Sequence, residues 1–233
     1  MAGMVARGIR RLVGRFWRAL RLAALVFVAT AVGMTLVYRF VPPPVTWLMI
    51  GEWLRLGAIE RDWTPLSGMA DVVPLSAAAA EDANFCRHWG FDIDGIRAAM
   101  ADPDRLRGGS SISQQVAKNV FLWPDRTWLR KGLEAGFTLL IEALWPKRRI
   151  MEVYLNVAEF GEGVFGVEAA ARHYWGIGAA ELGPQRAARL MAVLPDPKRR
   201  SPVSGTSFIS RRGRAIQAGA ETIRQDGRAA CFL

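Results

Sequence analysis

The segment 22–38, L-A-A-L-V-F-V-A-T-A-V-G-M-T-L-V-Y, carries no charge, and it limits the fold more than any other feature of the chain. As a helix its roughly 17 residues reach about 26 Å. That length crosses about 30 Å of hydrocarbon once Arg21 and Arg39 snorkel and Phe40 and Val41 are counted in. The pattern predicts a basic segment over 1–21, a transmembrane helix over 22–41 and an extramembrane body over 42–233. Six arginines precede the apolar run and only Arg39 follows it closely, so the N-terminus is expected in the cytoplasm and the body on the outer side. Ala29-Thr30-Ala31 offers a small-residue cleavage site, the mark of a removable signal peptide. Against that reading, apolar sequence continues past it to Tyr38 and the basic region is long. The arginine-rich segment contains no serine, which argues against a mitochondrial transit peptide.

The net charge of +10 suggests nucleic acid until its distribution is considered. No acidic residue precedes Glu52, whereas Arg7, Arg10, Arg11, Arg15, Arg18, Arg21 and Arg39 do; the remainder holds 24 basic against 21 acidic residues. A body so nearly balanced has no electrostatic footprint for nucleic acid. With 233 residues, 51% of them hydrophobic, the chain can bury one sizeable core beside the anchor. Cys86 and Cys231 lie far apart in sequence and are expected as free thiols. His88 and His173 form no zinc pattern with them.

Pro42-Pro43-Pro44 ends the first helix. V-T-W-L-M-I-G-E-W-L-R-L then has apolar residues at helical spacing, which suits either a helix at the membrane interface or a first core helix. Helix is expected over 75–100, broken near 88–90; again from Ser111 or Ser113; and over 127–145, where Leu133, Phe137, Leu140, Ile141 and Leu144 form an apolar stripe. Further helices follow Pro146, the glycine-rich E-F-G-E-G-V-F-G, and 176–183. The basic tail 211–228 reads as a surface helix. No run shows sustained strand alternation, so the body is mainly α with at most a short hairpin.

Chemistry-bearing residues concentrate between Glu81 and Asn119. Glu81, Phe85 and His88 share a helical face. A carboxylate beside Asp82, in a setting made apolar by Phe85 and Trp89, suits a general base; the alternative is an acidic pair at a helix end with His88 capping. Gln114 with Lys118, and Gln115 with Asn119, are i, i+4 pairs after a glycine turn bearing Ser110, Ser111 and Ser113. Hydroxyls, backbone N–H groups and a helix N-terminus make a place for a diphosphate, to which Lys118 and Arg126 add fixed positive charge. Arg130, Lys131 and Glu134 supply a second carboxylate beside two cations, or a plain surface ion pair. Asp92-Ile93-Asp94 is a weak metal signal without a preceding strand.

Together these segments resemble the peptidoglycan glycosyltransferases of glycosyltransferase family 51, most closely the monofunctional, membrane-anchored members. The family's E-D-x-x-F-x-x-H-x-G-x-D matches Glu81, Asp82, Phe85, His88, Gly90 and Asp92. G-G-S-T-I-T-Q-Q-x-x-K-N matches 108–119, with Ser111 and Ser113 in place of threonine. R-K-x-x-E matches Arg130, Lys131 and Glu134. A basic stretch followed by I-L-E-x-Y-L-N matches Lys147, Arg148, Ile150, Glu152, Tyr154, Leu155 and Asn156, and G-x-x-A-A-x-x-Y-F matches Gly166, Ala169, Ala170, His173 and Tyr174 loosely.

The resemblance implies a mainly α, lysozyme-like fold of two lobes around a cleft, with an apolar lobe at the membrane. It implies that lipid II and the growing glycan strand are the substrates and that other cell-wall synthesis proteins are partners. By that resemblance Glu81 is the general base acting on the acceptor 4-hydroxyl. Lys118 and Arg126 stabilise the departing lipid diphosphate, and Glu134 assists on the donor side. Asp82, His88, Ser110, Gln114, Gln115, Asn119, Arg130 and Lys131 are expected to hold substrate, and Glu152 and Asn156 to brace the cleft. No cofactor is required, although a divalent cation (Mg²⁺ or Mn²⁺) assisting the diphosphate is compatible with the pattern. About 35 residues follow Pro197, so a monofunctional enzyme without a transpeptidase domain, indifferent to β-lactams, is expected. The rival is a lytic transglycosylase or lysozyme-like muramidase, for which a cationic diphosphate site has no purpose.

Overall fold

The computed structural model describes residues 2–93, 95, 97, 109–125 and 127–233, with side chains from residue 12 onward. Two compact units emerge, residues 1–41 and 42–233. The first is one helix, α1 (Ala2–Tyr38). Its part Leu12–Tyr38, 27 residues, is long and apolar enough to cross a membrane. Arg15, Arg18 and Arg21 therefore sit on the same continuous helix as the apolar run. Thr35 is accommodated there because its hydroxyl donates to the Ala31 carbonyl at 2.7 Å, which satisfies it within the helix.

The second unit begins with α2 (Trp47–Leu56), started by Thr46, whose hydroxyl accepts from the Met49 N–H at 3.2 Å. Met49 and Glu52 point inward, and Lys198 pairs with Glu52, which fastens the helix to the body. Trp47, Trp53, Leu54 and Leu56 remain exposed. A short strand, β1 (Glu60–Arg61), follows.

The centre of the body is α3 (Val72–Glu81), V-V-P-L-S-A-A-A-A-E, buried from Val73 through Ala80. A helix apolar all round belongs inside a protein, and four consecutive alanines let neighbours approach closely. Around it run α4 (Ile112–Phe121), α5 (Trp128–Leu144) and α6 (Lys147–Val157). The strands β2 (Glu159–Gly161) and β3 (Val164–Phe165) and the helices α7 (Val167–Trp175), α8 (Pro184–Met191) and α9 (Ser207–Gln225) complete the unit. α3 packs against α8 and α9, and α4 against α5 and α6.

The expected hairpin of β2 and β3 is present, but β3 also pairs in parallel with β1, giving the order β1-β3-β2. Two-residue strands carry no readable alternation. Two further expectations are corrected. Cys86 and Cys231 form a disulfide across a sequence separation of 145, which sequence distance could not reveal because only the fold brings the two ends together. The basic tail is more than a surface helix: Ile209, Arg212, Gly213, Ile216, Ala220 and Ile223 of α9 are buried against the helix that carries Glu81.

Candidate active site

Glu81 is the last residue of α3, placed where the buried alanine helix reaches the surface of the body. Its Oε2 accepts from Gln115 Nε2 at 2.9 Å, which ties the carboxylate to the middle of α4. Beyond Glu81 the chain turns through Asp82, and the Asp82 carboxylate organises that turn. Oδ1 is hydrogen-bonded to His88 Nε2 at 2.8 Å, and Oδ2 accepts from the Ile112 N–H at 3.1 Å. The second contact sets a carboxylate at the N-terminus of α4, where the helix dipole and unpaired N–H groups favour it.

The same turn closes on α5. Gly90 has φ +78°, and a Cβ there would lie 2.5 Å from Thr138 Cγ2; glycine satisfies both the left-handed backbone and the close approach. The Ser111 hydroxyl donates to the Gly90 carbonyl, and Lys147 Nζ donates to the His88 carbonyl at 2.8 Å. Lys147 also meets Glu142 at 2.8 Å, and Glu142 in turn accepts from the Ser113 hydroxyl.

Between α4 and α5 lies a cleft of about 740 Å³. Ser110, Gln114, Gln115, Lys118, Asn119, Arg130, Lys131 and Glu134 line it, together with Leu48, Leu122, Trp123, Pro124 and Asp125. Ser111 caps α4 with a capping box: its hydroxyl accepts from the Gln114 N–H at 3.2 Å, and Gln114 Oε1 accepts from the Ser111 N–H at 3.0 Å. Gln114 thus serves the helix as well as the cleft.

On the facing wall Glu134 is buried and doubly engaged. Arg130 Nη1 meets its Oε2 at 2.8 Å and Lys131 Nζ its Oε1 at 2.5 Å. The i, i+4 pair that could have been a solvated surface contact is buried on both sides. Lys118 has no ion-pair partner among the described residues. Its side chain is exposed in the cleft, where the surrounding protein partly desolvates the ammonium. That desolvation pushes its pKa below the ordinary value; Glu134 and Glu81 oppose the effect, and Arg130 and Lys131 add to it.

The structure therefore gathers eight of the predicted residues into one cleft and joins Glu81 to its edge through Gln115. Asp82 and His88 stand behind Glu81, buried or nearly so, and act through the turn. Arg126 and Asp94 lie outside the described residues. Asp82, His88 and Asp92 bring donor atoms within 4.8 Å of one another, but Asp82 uses both oxygens within the protein and Asp92 accepts from the Gly95 N–H at 2.9 Å. Glu152 and Asn156 brace the body: Asn156 exchanges hydrogen bonds with the Thr64 backbone at 2.9 Å each, and Glu152 accepts from the Leu66 N–H at 3.0 Å.

The roles of five residues were not legible in advance. Glu142 and Lys147 lock the turn from below, and Trp123 and Leu48 give the cleft an apolar rim. Arg212 of α9 lies 3.7 Å from Glu81 Oε1; the signal for it was a basic residue on the apolar-periodic face of the tail.

The body is mainly α, with a carboxylate at the edge of a cationic cleft as an acid–base enzyme requires, and sequence comparison gives the family. The model of the family described as Transglycosylase matches residues 49–221. A "Biosynthetic peptidoglycan transglycosylase" from Jannaschia sp. is 50% identical over 231 residues, covering 99% of this chain and 93% of its own length. Proteins of the same name from Rhodospirillum centenum and Caulobacter vibrioides are 51% and 45% identical, over 97% and 95% of this chain and 97% and 98% of their own. The chain belongs to the transglycosylase family.

Proposed function

We propose that this chain polymerises peptidoglycan glycan strands, transferring the growing strand from its undecaprenyl diphosphate to the 4-hydroxyl of the GlcNAc of lipid II. The observation that carries the reading is Lys118, a cation without an ion-pair partner among the described residues, across the cleft from a buried carboxylate already neutralised by two others. Such a wall suits a departing diphosphate, which a hydrolase acting on finished glycan never generates.

In this mechanism Glu81, which accepts an amide hydrogen bond from Gln115 on Oε2, removes the acceptor hydroxyl proton as that oxygen attacks the donor anomeric carbon. The bond to the lipid diphosphate breaks, configuration inverts, and a β-1,4 linkage results. Lys118, with Arg126 and the Ser110 turn, receives the diphosphate charge. Glu134 holds Arg130 and Lys131 in place on the donor side, and Gln115 and Asn119 face sugar or phosphate oxygens. Mg²⁺ or Mn²⁺ would assist as a counter-ion of the diphosphate and not as a protein-held metal. The α1 helix anchors the enzyme in the inner membrane with its N-terminus in the cytoplasm and the body in the periplasm, where lipid II and other cell-wall synthesis proteins are met.

Two substrates test the reading. Purified protein with labelled lipid II is expected to yield long glycan strands, and with intact sacculi no soluble fragments. Soluble muropeptides from sacculi, with no strands from lipid II, would assign it to the lytic enzymes.

A further inference from the structure

The C-terminal helix α9 reaches the proposed base. Arg212 projects from the buried face of α9, and its side chain is 8% exposed. Its Nη2 stands 3.7 Å from Glu81 Oε1, while Gln115 holds the other oxygen at 2.9 Å. The carboxylate is thus gripped on one oxygen by α4 and faced on the other by α9.

We infer that Arg212 is a positioning residue for Glu81, supplying from the C-terminal helix the charge that fixes the orientation of the base; the inference rests on the reading of Glu81 as the base. Two physical points support it. A guanidinium taken out of water is costly unless paired, and a core needing only volume at this position is served as well by an apolar side chain. The separation also exceeds a hydrogen bond, so the attraction is coulombic and leaves a lone pair of Oε1 available for an acceptor hydroxyl. A direct hydrogen bond would take one of the two lone pairs on that oxygen and weaken its basicity.

The rest of the C-terminal segment grips the chain just after Glu81. Arg228 Nη1 donates to the Ala83 carbonyl at 3.3 Å, Cys231 is bonded to Cys86, and the Phe232 ring sits 6.0 Å from that of Phe85. The turn is therefore held on one side of Glu81 and Arg212 is presented on the other. Tyr154 closes the group from α6: its phenol is fully buried and its hydroxyl has no hydrogen-bond partner among the described residues. Burial first, then the charges of Glu81 and Asp82, push the phenol pKa far up, while Arg212 opposes them, so Tyr154 stays neutral beside the pair.

The test compares Arg212→Lys and Arg212→Gln with the unsubstituted full chain on labelled lipid II, with thermal unfolding of each. We expect Arg212→Gln to lose at least ~10-fold in kcat with KM within ~3-fold, and Arg212→Lys, which keeps the charge, to stay within ~5-fold of the parent. A glutamine variant within ~3-fold of the parent overturns the inference. So does an equal loss in the two variants, or a loss confined to KM. If the glutamine variant does not fold, the lysine variant decides: near-parental kcat supports the role, and a drop of ~10-fold or more at unchanged stability contradicts it. A parent chain that makes no polymer would refute the functional reading itself, which separates that failure from failure of the Arg212 assignment.

Discussion

Lys118 is exposed in the cleft but partly desolvated by the protein around it, and those surroundings set how long its charge survives as pH rises. Desolvation lowers its pKa, so the ammonium is lost at a lower pH than in a free lysine, whose ordinary value is 10.5. If the charged form receives the diphosphate, the alkaline limb of kcat/KM, which reports the free enzyme, falls below that value. The substitution Lys118→Arg keeps the positive charge throughout and is expected to remove the limb. Lys118→Ala should lower kcat at every pH, because leaving-group stabilisation acts mainly in the transition state. An alkaline limb shared by the parent and the arginine variant would assign it to another group. Glu134 shows the opposite arrangement: R-K-x-x-E displays the three charges in sequence but not their burial, since an i, i+4 pair reads the same on a wet face as on a dry one. Only the packing of α5 against α4 distinguishes them.

The turn 82–90 is held at its middle by the Cys86 disulfide and at its far end by Gly90, and each gives an expectation. Removing the disulfide with Cys86→Ala is expected to cost about 2–5 kcal/mol, or a fall in Tm of about 5–15 °C for a body of this size; thermal unfolding with and without reductant checks it, and unchanged melting would contradict it. Gly90→Ala places a methyl against Thr138 in a left-handed backbone and is expected to cost at least ~1–2 kcal/mol, measured in the same way. The helices were legible because capping and period agree in them: Ser111 begins α4, Thr127 begins α5, and prolines separate their neighbours. The apolar stripe predicted for α5 was turned slightly off the observed buried face, which runs through Arg130, Glu134, Phe137, Thr138, Ile141 and Glu142. Hydrophobicity alone cannot register a face whose buried members are ion-paired. The disulfide and the seat of Arg212 depend on contacts between residues more than a hundred positions apart, and no local signal announces them.

Over the whole molecule, α1 carries a stretch long and apolar enough to cross a membrane, and the body has further exposed apolar residues on α2, namely Trp47, Trp53, Leu54 and Leu56. Exposed aromatic and aliphatic residues grouped on one helix suit the interfacial region of a bilayer. The full chain carrying Trp53→Ser and Leu54→Ser is expected to show a raised apparent KM for lipid II in vesicles, with a smaller change in detergent; equal effects in the two media would remove α2 from substrate access. The proposed chemistry turns on one carboxylate. The most direct measurement is the initial rate of glycan polymerisation from labelled lipid II by the full chain and by Glu81→Gln, with unfolding profiles to show that both are folded. The variant is predicted to lose at least ~10²-fold in rate while retaining its fold, and a rate within severalfold of the parent would show that Glu81 is not the base.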